Sequence, residues 1–110
     1  MSIEHAKSGG VIQLPLGPVL SNSKTTTLIK TADLEVIRLV LPADKEIPTH
    51  KAPGEITVQC LEGRVAFTAE GKTQDLTPGR LLFLAAGEPH TVKGVEDSSL
   101  LVTIILPKNK

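Results

Sequence analysis

The sequence predicts a single all-β domain. Three observations predict it: short β-rich runs are separated by turn residues, no sustained 3.6-residue apolar period appears, and 110 residues leave room for one core. About eight to ten runs recur with turns at regular spacing, which points to a sandwich or a closed barrel. A jelly-roll barrel is favoured, because closure or double-sheet packing hides strand edges that would otherwise pair with other chains.

Residues 1–10 read as a loose N-terminal arm in which His5 has no role. Residues 11–20 contain Pro15, Gly17 and Pro18, so they read as an irregular edge strand or a continuation of the arm. Strands are expected over 25–30 and 34–41. The second becomes continuously apolar at Val40-Leu41, as an end covered on both faces would be. After a loop at Pro42-Ala43-Asp44-Lys45 comes a short extended piece, Ile47-Pro48-Thr49-His50. Ala52-Pro53-Gly54 is a turn: proline presets φ and glycine accepts a positive one. A hairpin over 56–61 and 64–68 is centred on Glu62-Gly63, and Glu70-Gly71 turns the chain into 73–76. Thr77-Pro78-Gly79-Arg80 is a further turn, and 81–85, 88–93 and 100–106 complete the set. The last run is apolar on both faces, so one face is expected to meet a second subunit or a covering segment.

Composition narrows the function. Lys plus Arg and Asp plus Glu are 12 each, and no basic run exists to displace counterions from a phosphate backbone, so a nucleic-acid partner is not expected. The Lys108-Asn109-Lys110 tail is too short to count. Zero formal charge gives little repulsion between copies, and a homodimer is expected. The one cysteine, Cys60, excludes an intramolecular disulfide. Met1-Ser2-Ile3-Glu4-His5 lacks a basic segment followed by an apolar run, and 100–106 is far too short to span a bilayer. A soluble, cytoplasmic protein with no membrane partner is expected.

The stretch from Asp44 to His90 resembles the two sequence blocks of the cupin superfamily. The family's first block carries a glycine, a His-x-His, a later Glu or Gln, and a closing glycine. Here Asp44 stands at the glycine place, His50 at the first histidine, Ala52 at the second, and Gly63 closes the block within Leu61-Glu62-Gly63-Arg64-Val65. Counting back from Gly63 puts the carboxylate position on Ile56, so Glu55 comes one residue early. In the second block Gly79, Gly87 and His90 keep the family's spacing, Ala85 replaces a proline, and the family's asparagine falls on Gly94. The chain is thus similar to a small single-domain, RmlC-like cupin of the conserved-barrel type, with a degenerate first motif. The resemblance implies a cupin double-stranded β-helix, or jelly-roll barrel, over residues 1–110, and is strongest over 34–106.

In cupins with the full motif, three histidines and a carboxylate hold a divalent metal such as iron, manganese, nickel, copper or zinc. Only His50 and His90 match those positions, so a metal is expected to be weak or absent. If Ile56, Val58 and Cys60 point inward, then Glu55, Thr57 and Gln59 point outward. A bulge after Pro53-Gly54 would be needed to turn Glu55 in, and Gln59 and Cys60 are fallback ligands. Cys60 otherwise reads as a small core hydrophobe, with no cation placed to activate its thiol. The absence of tyrosine excludes a histidine–tyrosine acid/base pair of the kind that sugar epimerases of this barrel class use. A His50–His90 acid/base pair would lack an orienting carboxylate.

Three functions follow from this reading. The first is a cupin that binds a small organic ligand, or a weakly held metal, in an aliphatic barrel. Its pocket would be formed by His50, His90, Glu55, Gln59, Cys60, Phe67 and Leu84, with Val58 and either Leu82 or Phe83 in the lining. The second is a metal-dependent enzyme, a dioxygenase or isomerase, that uses His50 and His90 with Glu55 or Gln59. The third is a structural or regulatory dimer without chemistry. Neither a substrate nor a catalytic residue is identified by the sequence.

Overall fold

Alternating apolar residues and frequent turns fold this chain into two antiparallel sheets packed face to face. The computed structural model describes residues 5–107, among which nine strands and one short 3-10 helix, Gly17–Asn22, are found. The strands are β1 (Thr26–Lys30), β2 (Leu34–Leu41), β3 (Glu46–His50), β4 (Ile56–Glu62), β5 (Val65–Ala69), β6 (Lys72–Leu76), β7 (Leu81–Leu84), β8 (His90–Gly94) and β9 (Ser98–Ile105). One sheet has the order β1-β2-β9-β4-β7 and the other β3-β8-β5-β6. This is the all-β jelly-roll barrel expected from the sequence, with strand limits within two residues of those read from it. No helix among the described residues is long and apolar enough to cross a membrane.

The core lies between the sheets because each strand sends alternate side chains inward. In β4 the buried positions are Ile56, Val58 and Cys60, as strict alternation requires. Strand β9 is central: Leu100 pairs with Leu39 of β2 and Cys60 of β4, while Val102 pairs with Ile37 and Val58. From the opposite sheet come Val65 and Phe67 of β5, Leu76 of β6 and Val92 of β8.

Residues 11–20 do not form an edge strand. Pro15 and Pro18 remove backbone donors, and the segment becomes an arm that ends in the 3-10 turn with proline in its first positions. Ile12, Leu14 and Leu16 are half-buried while Val11, Gln13 and Pro15 are exposed, so one side of the arm faces the protein. The arm is tied to the outer side of the five-stranded sheet at two points. Arg38 Nη1 of β2 donates to the Gln13 carbonyl at 3.0 Å. The Glu62 carboxylate of β4 accepts from the N–H groups of Leu16, at 2.9 Å, and Gly17, at 2.6 Å. The arm therefore acts as a covering segment over one part of the sheet that contains β9.

Of the expected loose arm, residues 1–4 lie outside the described residues, and the Ala6 N–H is already bonded to the Leu28 carbonyl at 2.8 Å. His5 is exposed. The Lys108-Asn109-Lys110 tail also lies outside the described residues.

Candidate functional site

His50 and His90 come from strands that are neighbours in the four-stranded sheet, and β3–β8 pairing sets them directly opposite each other. Strict alternation would not do this. Ile47 faces the core opposite Val92, so a regular strand would send Thr49 inward and His50 outward. The register shifts between Ile47 and His50, where one extra residue of β3 is taken up. Pro48 cannot donate to a ladder and sits there on an edge strand, where that defect is tolerated. This bulge turns His50 to the inside.

The two imidazole centroids lie 4.1 Å apart with the rings inclined at 61°. Phe67 of β5 pairs with Val92, so it stands diagonally across from His90 on the same face. Its ring stacks on His90 at 5.3 Å and 10°. His90 is buried, whereas His50 is exposed at the rim. Each ring is oriented by a carbonyl two residues earlier in the chain: His50 Nδ1 by Pro48 O and His90 Nδ1 by Glu88 O, both at 3.0 Å. A carbonyl only accepts, so Nδ1 carries the proton in both rings and Nε2 of the neutral ring keeps a lone pair. Burial pushes the His90 pKa below the ordinary histidine value. The Glu88 hydrogen bond opposes this shift, and the charge of His50 adds to it.

Behind the two rings a cavity of about 190 Å³ extends between the sheets. Its wall is aliphatic: Ile37 and Leu39 of β2, Ile47 of β3, Ile56 and Val58 of β4, Val92 of β8, and Leu100, Val102 and Ile104 of β9, closed by Phe67. Thr25 also lines it, but its hydroxyl already accepts from the Val40 N–H at 2.9 Å.

Of the residues singled out from the sequence, His50, His90, Phe67 and Val58 meet at this cavity. The others do not. Glu55 is exposed and is not turned inward, because the bulge falls at Pro48 and not after Gly54. Gln59 follows alternation to the outer face, opposite Leu81 and Leu101. Cys60 and Leu84 are core residues that do not reach the cavity. The Cys60 thiol is fully buried, donates toward the Glu62 carbonyl at 3.5 Å, and has its pKa raised chiefly by burial. Leu82 packs against the core, while Phe83 points out and is 61% exposed. The aliphatic wall from β2 and β9 was not picked out from the sequence. Apolar residues stand on both faces of β2 and β9, so hydrophobicity alone does not mark Ile37, Leu39, Leu100, Val102 and Ile104 as the cavity side.

The sequence profile of the family described as Cupin domain matches residues 37–106, more than half of the chain. The chain belongs to the cupin family. Among solved structures, a conserved protein of unknown function from Streptococcus pyogenes is similar to this cupin over 99% of this chain and 97% of that one, at 23% identity and a TM-score of 0.76. A cupin superfamily protein from Desulfitobacterium hafniense covers 88% of this chain and 95% of its own, at 15% identity and a TM-score of 0.75. The DMSP lyase DddQ from Ruegeria pomeroyi is similar over 78% of this chain and 47% of its own, at 22% identity and a TM-score of 0.68. At these identities the likeness establishes the fold alone. No curated protein matches the sequence.

Cupins with the full motif hold a divalent metal, and the donor set here does not fit one. Among the described residues no group of three or more His, Cys, Asp and Glu side chains comes together. Ala52 offers no ligand atom, Ile56 stands at the carboxylate position, and Glu55 is on the exterior. Two imidazoles over an aliphatic cavity remain.

Proposed function

We propose that this cupin binds a small, largely apolar organic molecule inside the barrel, with His50 and His90 at the mouth setting its orientation. The observation that carries the reading is the pair of imidazoles, 4.1 Å apart, at one end of an aliphatic cavity of about 190 Å³. An apolar cavity of about 150 Å³ is already large enough to take up benzene and to exclude water. Few, well-placed polar groups on an apolar wall are the usual composition of a small-molecule site.

Binding fits this geometry better than acid–base catalysis. In catalytic histidines a carboxylate commonly orients the ring and stabilises the imidazolium that forms. Here both rings are oriented by neutral backbone carbonyls, and the environment of His90 favours its uncharged form. A metal-dependent dioxygenase or isomerase is the competing reading.

Thermal unfolding with and without toluene tests the proposal. Ligand at a hundredfold over its Kd stabilises by about 2.7 kcal/mol, which raises Tm by several degrees in a domain of this size. Val102→Phe fills the cavity and is expected to abolish that shift while the fold is kept. Metal analysis of the tag-free protein is expected to find less than one equivalent, unchanged in the His50→Ala, His90→Ala double variant. A full equivalent that disappears in the double variant, with no toluene-dependent shift, overturns the proposal in favour of the metal-dependent enzyme.

A further inference from the structure

The cavity wall contains no hydrogen-bond donor that is not already engaged. Both Nδ1–H groups are committed to the carbonyls of Pro48 and Glu88, and the Thr25 hydroxyl donates to the Val40 carbonyl at 3.5 Å while accepting from the Val40 N–H at 2.9 Å. The rest of the lining is hydrocarbon. What remains is a pair of acceptors: among the described residues nothing donates to Nε2 of His50 or of His90. Such a site does not treat all small molecules alike. A neutral O–H or N–H donor finds a partner there, an apolar molecule finds only the wall, and an anion finds no donor to replace its lost water.

We propose that the cavity selects an uncharged, single-ring-sized molecule that carries one hydroxyl or N–H donor on an apolar frame, a phenol-like ligand, and that this donor is received by Nε2 of His50 or His90. The inference rests on the small-ligand reading above and adds the chemical class. Carboxylates are rejected for a physical reason. A carboxylate drawn into this wall leaves water without any N–H or O–H to receive it, and with no cation beside it. A cationic amine gains two acceptors but meets no carboxylate in the lining, so it too is disfavoured.

Isothermal titration of the metal-free protein at pH 8 with phenol, toluene and benzoate reads this selectivity. Phenol is expected to bind about three- to tenfold more tightly than toluene, the range that one net hydrogen bond supplies. Benzoate is expected to bind at least about a hundredfold more weakly than phenol. The His50→Leu, His90→Leu double variant is expected to lose the preference for phenol over toluene. Should that variant fail to fold, 15N NMR of the wild-type imidazoles gives the same information: phenol, and not toluene, is expected to shift an Nε2 resonance.

Toluene binding with no preference for phenol, or benzoate binding as tightly as phenol, overturns this inference and leaves the small-ligand reading standing. Binding by none of the three overturns both.

Discussion

Glu62 shows how much a single side chain can organise. Its carboxylate takes hydrogen bonds from the Leu16 and Gly17 N–H groups of the arm and from the Ser99 hydroxyl of β9, with the Arg38 charge nearby. Burial alone would raise its pKa. The Ser99, Leu16 and Gly17 hydrogen bonds and Arg38 together outweigh burial and hold it below the ordinary carboxyl value. With a pKa lowered by folding, its stabilisation is complete above the unfolded value, about 4.3, and is lost as pH falls through the folded one. Glu62→Gln is therefore expected to cost about 1 kcal/mol in urea unfolding at pH 7, since the site is only partly shielded from solvent. The gap to the wild type is expected to close as the pH is lowered well below 4. A gap of the same size at low pH would show that the charge is not what holds the arm.

Between residues and the barrel, the turns decide where strands begin. Gly63 has φ +81°, and a Cβ there would lie 2.2 Å from the Asp97 carbonyl oxygen. Gly71 has a similar φ of +76° but nothing within 4 Å. Gly71→Ala is thus expected to cost about 1–2 kcal/mol from backbone conformation alone, and Gly63→Ala distinctly more, as measured by urea midpoints. Equal costs would mean that the Asp97–Ser98 turn yields freely. Asp44 adopts φ +67° where the family resemblance expects a glycine, a conformation that aspartate tolerates better than most side chains. These turns were readable in the sequence because glycine and proline mark them chemically. The inward set of β4 was readable for a similar reason, since a period of two leaves no choice once one face is buried. The β3 bulge was not readable. Ile47-Pro48-Thr49-His50 contains an odd step between two inward residues, and only the pairing with β8 shows that the chain absorbs it there and not at Gly54. The cavity wall was hidden for a different cause: in β2 and β9 both faces are apolar, so hydrophobicity did not distinguish the cavity side from the side under the arm.

In the molecule as a whole, the arm leaves part of the five-stranded sheet uncovered. Leu81 and Phe83 of the edge strand β7 and Ile105 of β9 remain 65%, 61% and 45% exposed on its outer side. With no net charge to keep copies apart, we propose that this face meets the same face of a second copy in a two-fold dimer. Light scattering of the wild type is expected to give twice the chain mass, and Leu81→Lys with Phe83→Glu a single chain; a wild-type monomer at high concentration would remove the proposal. The same exposed patch also makes the location of ligand binding the deciding question, because toluene could adhere to it. Methyl-detected NMR of the metal-free protein during a toluene titration answers this directly. Saturable shifts are predicted at Val58, Val92, Leu100, Val102 and Ile104, which line the cavity behind His50 and His90. Shifts confined to Leu81 and Ile105, or none that saturate, would contradict the account.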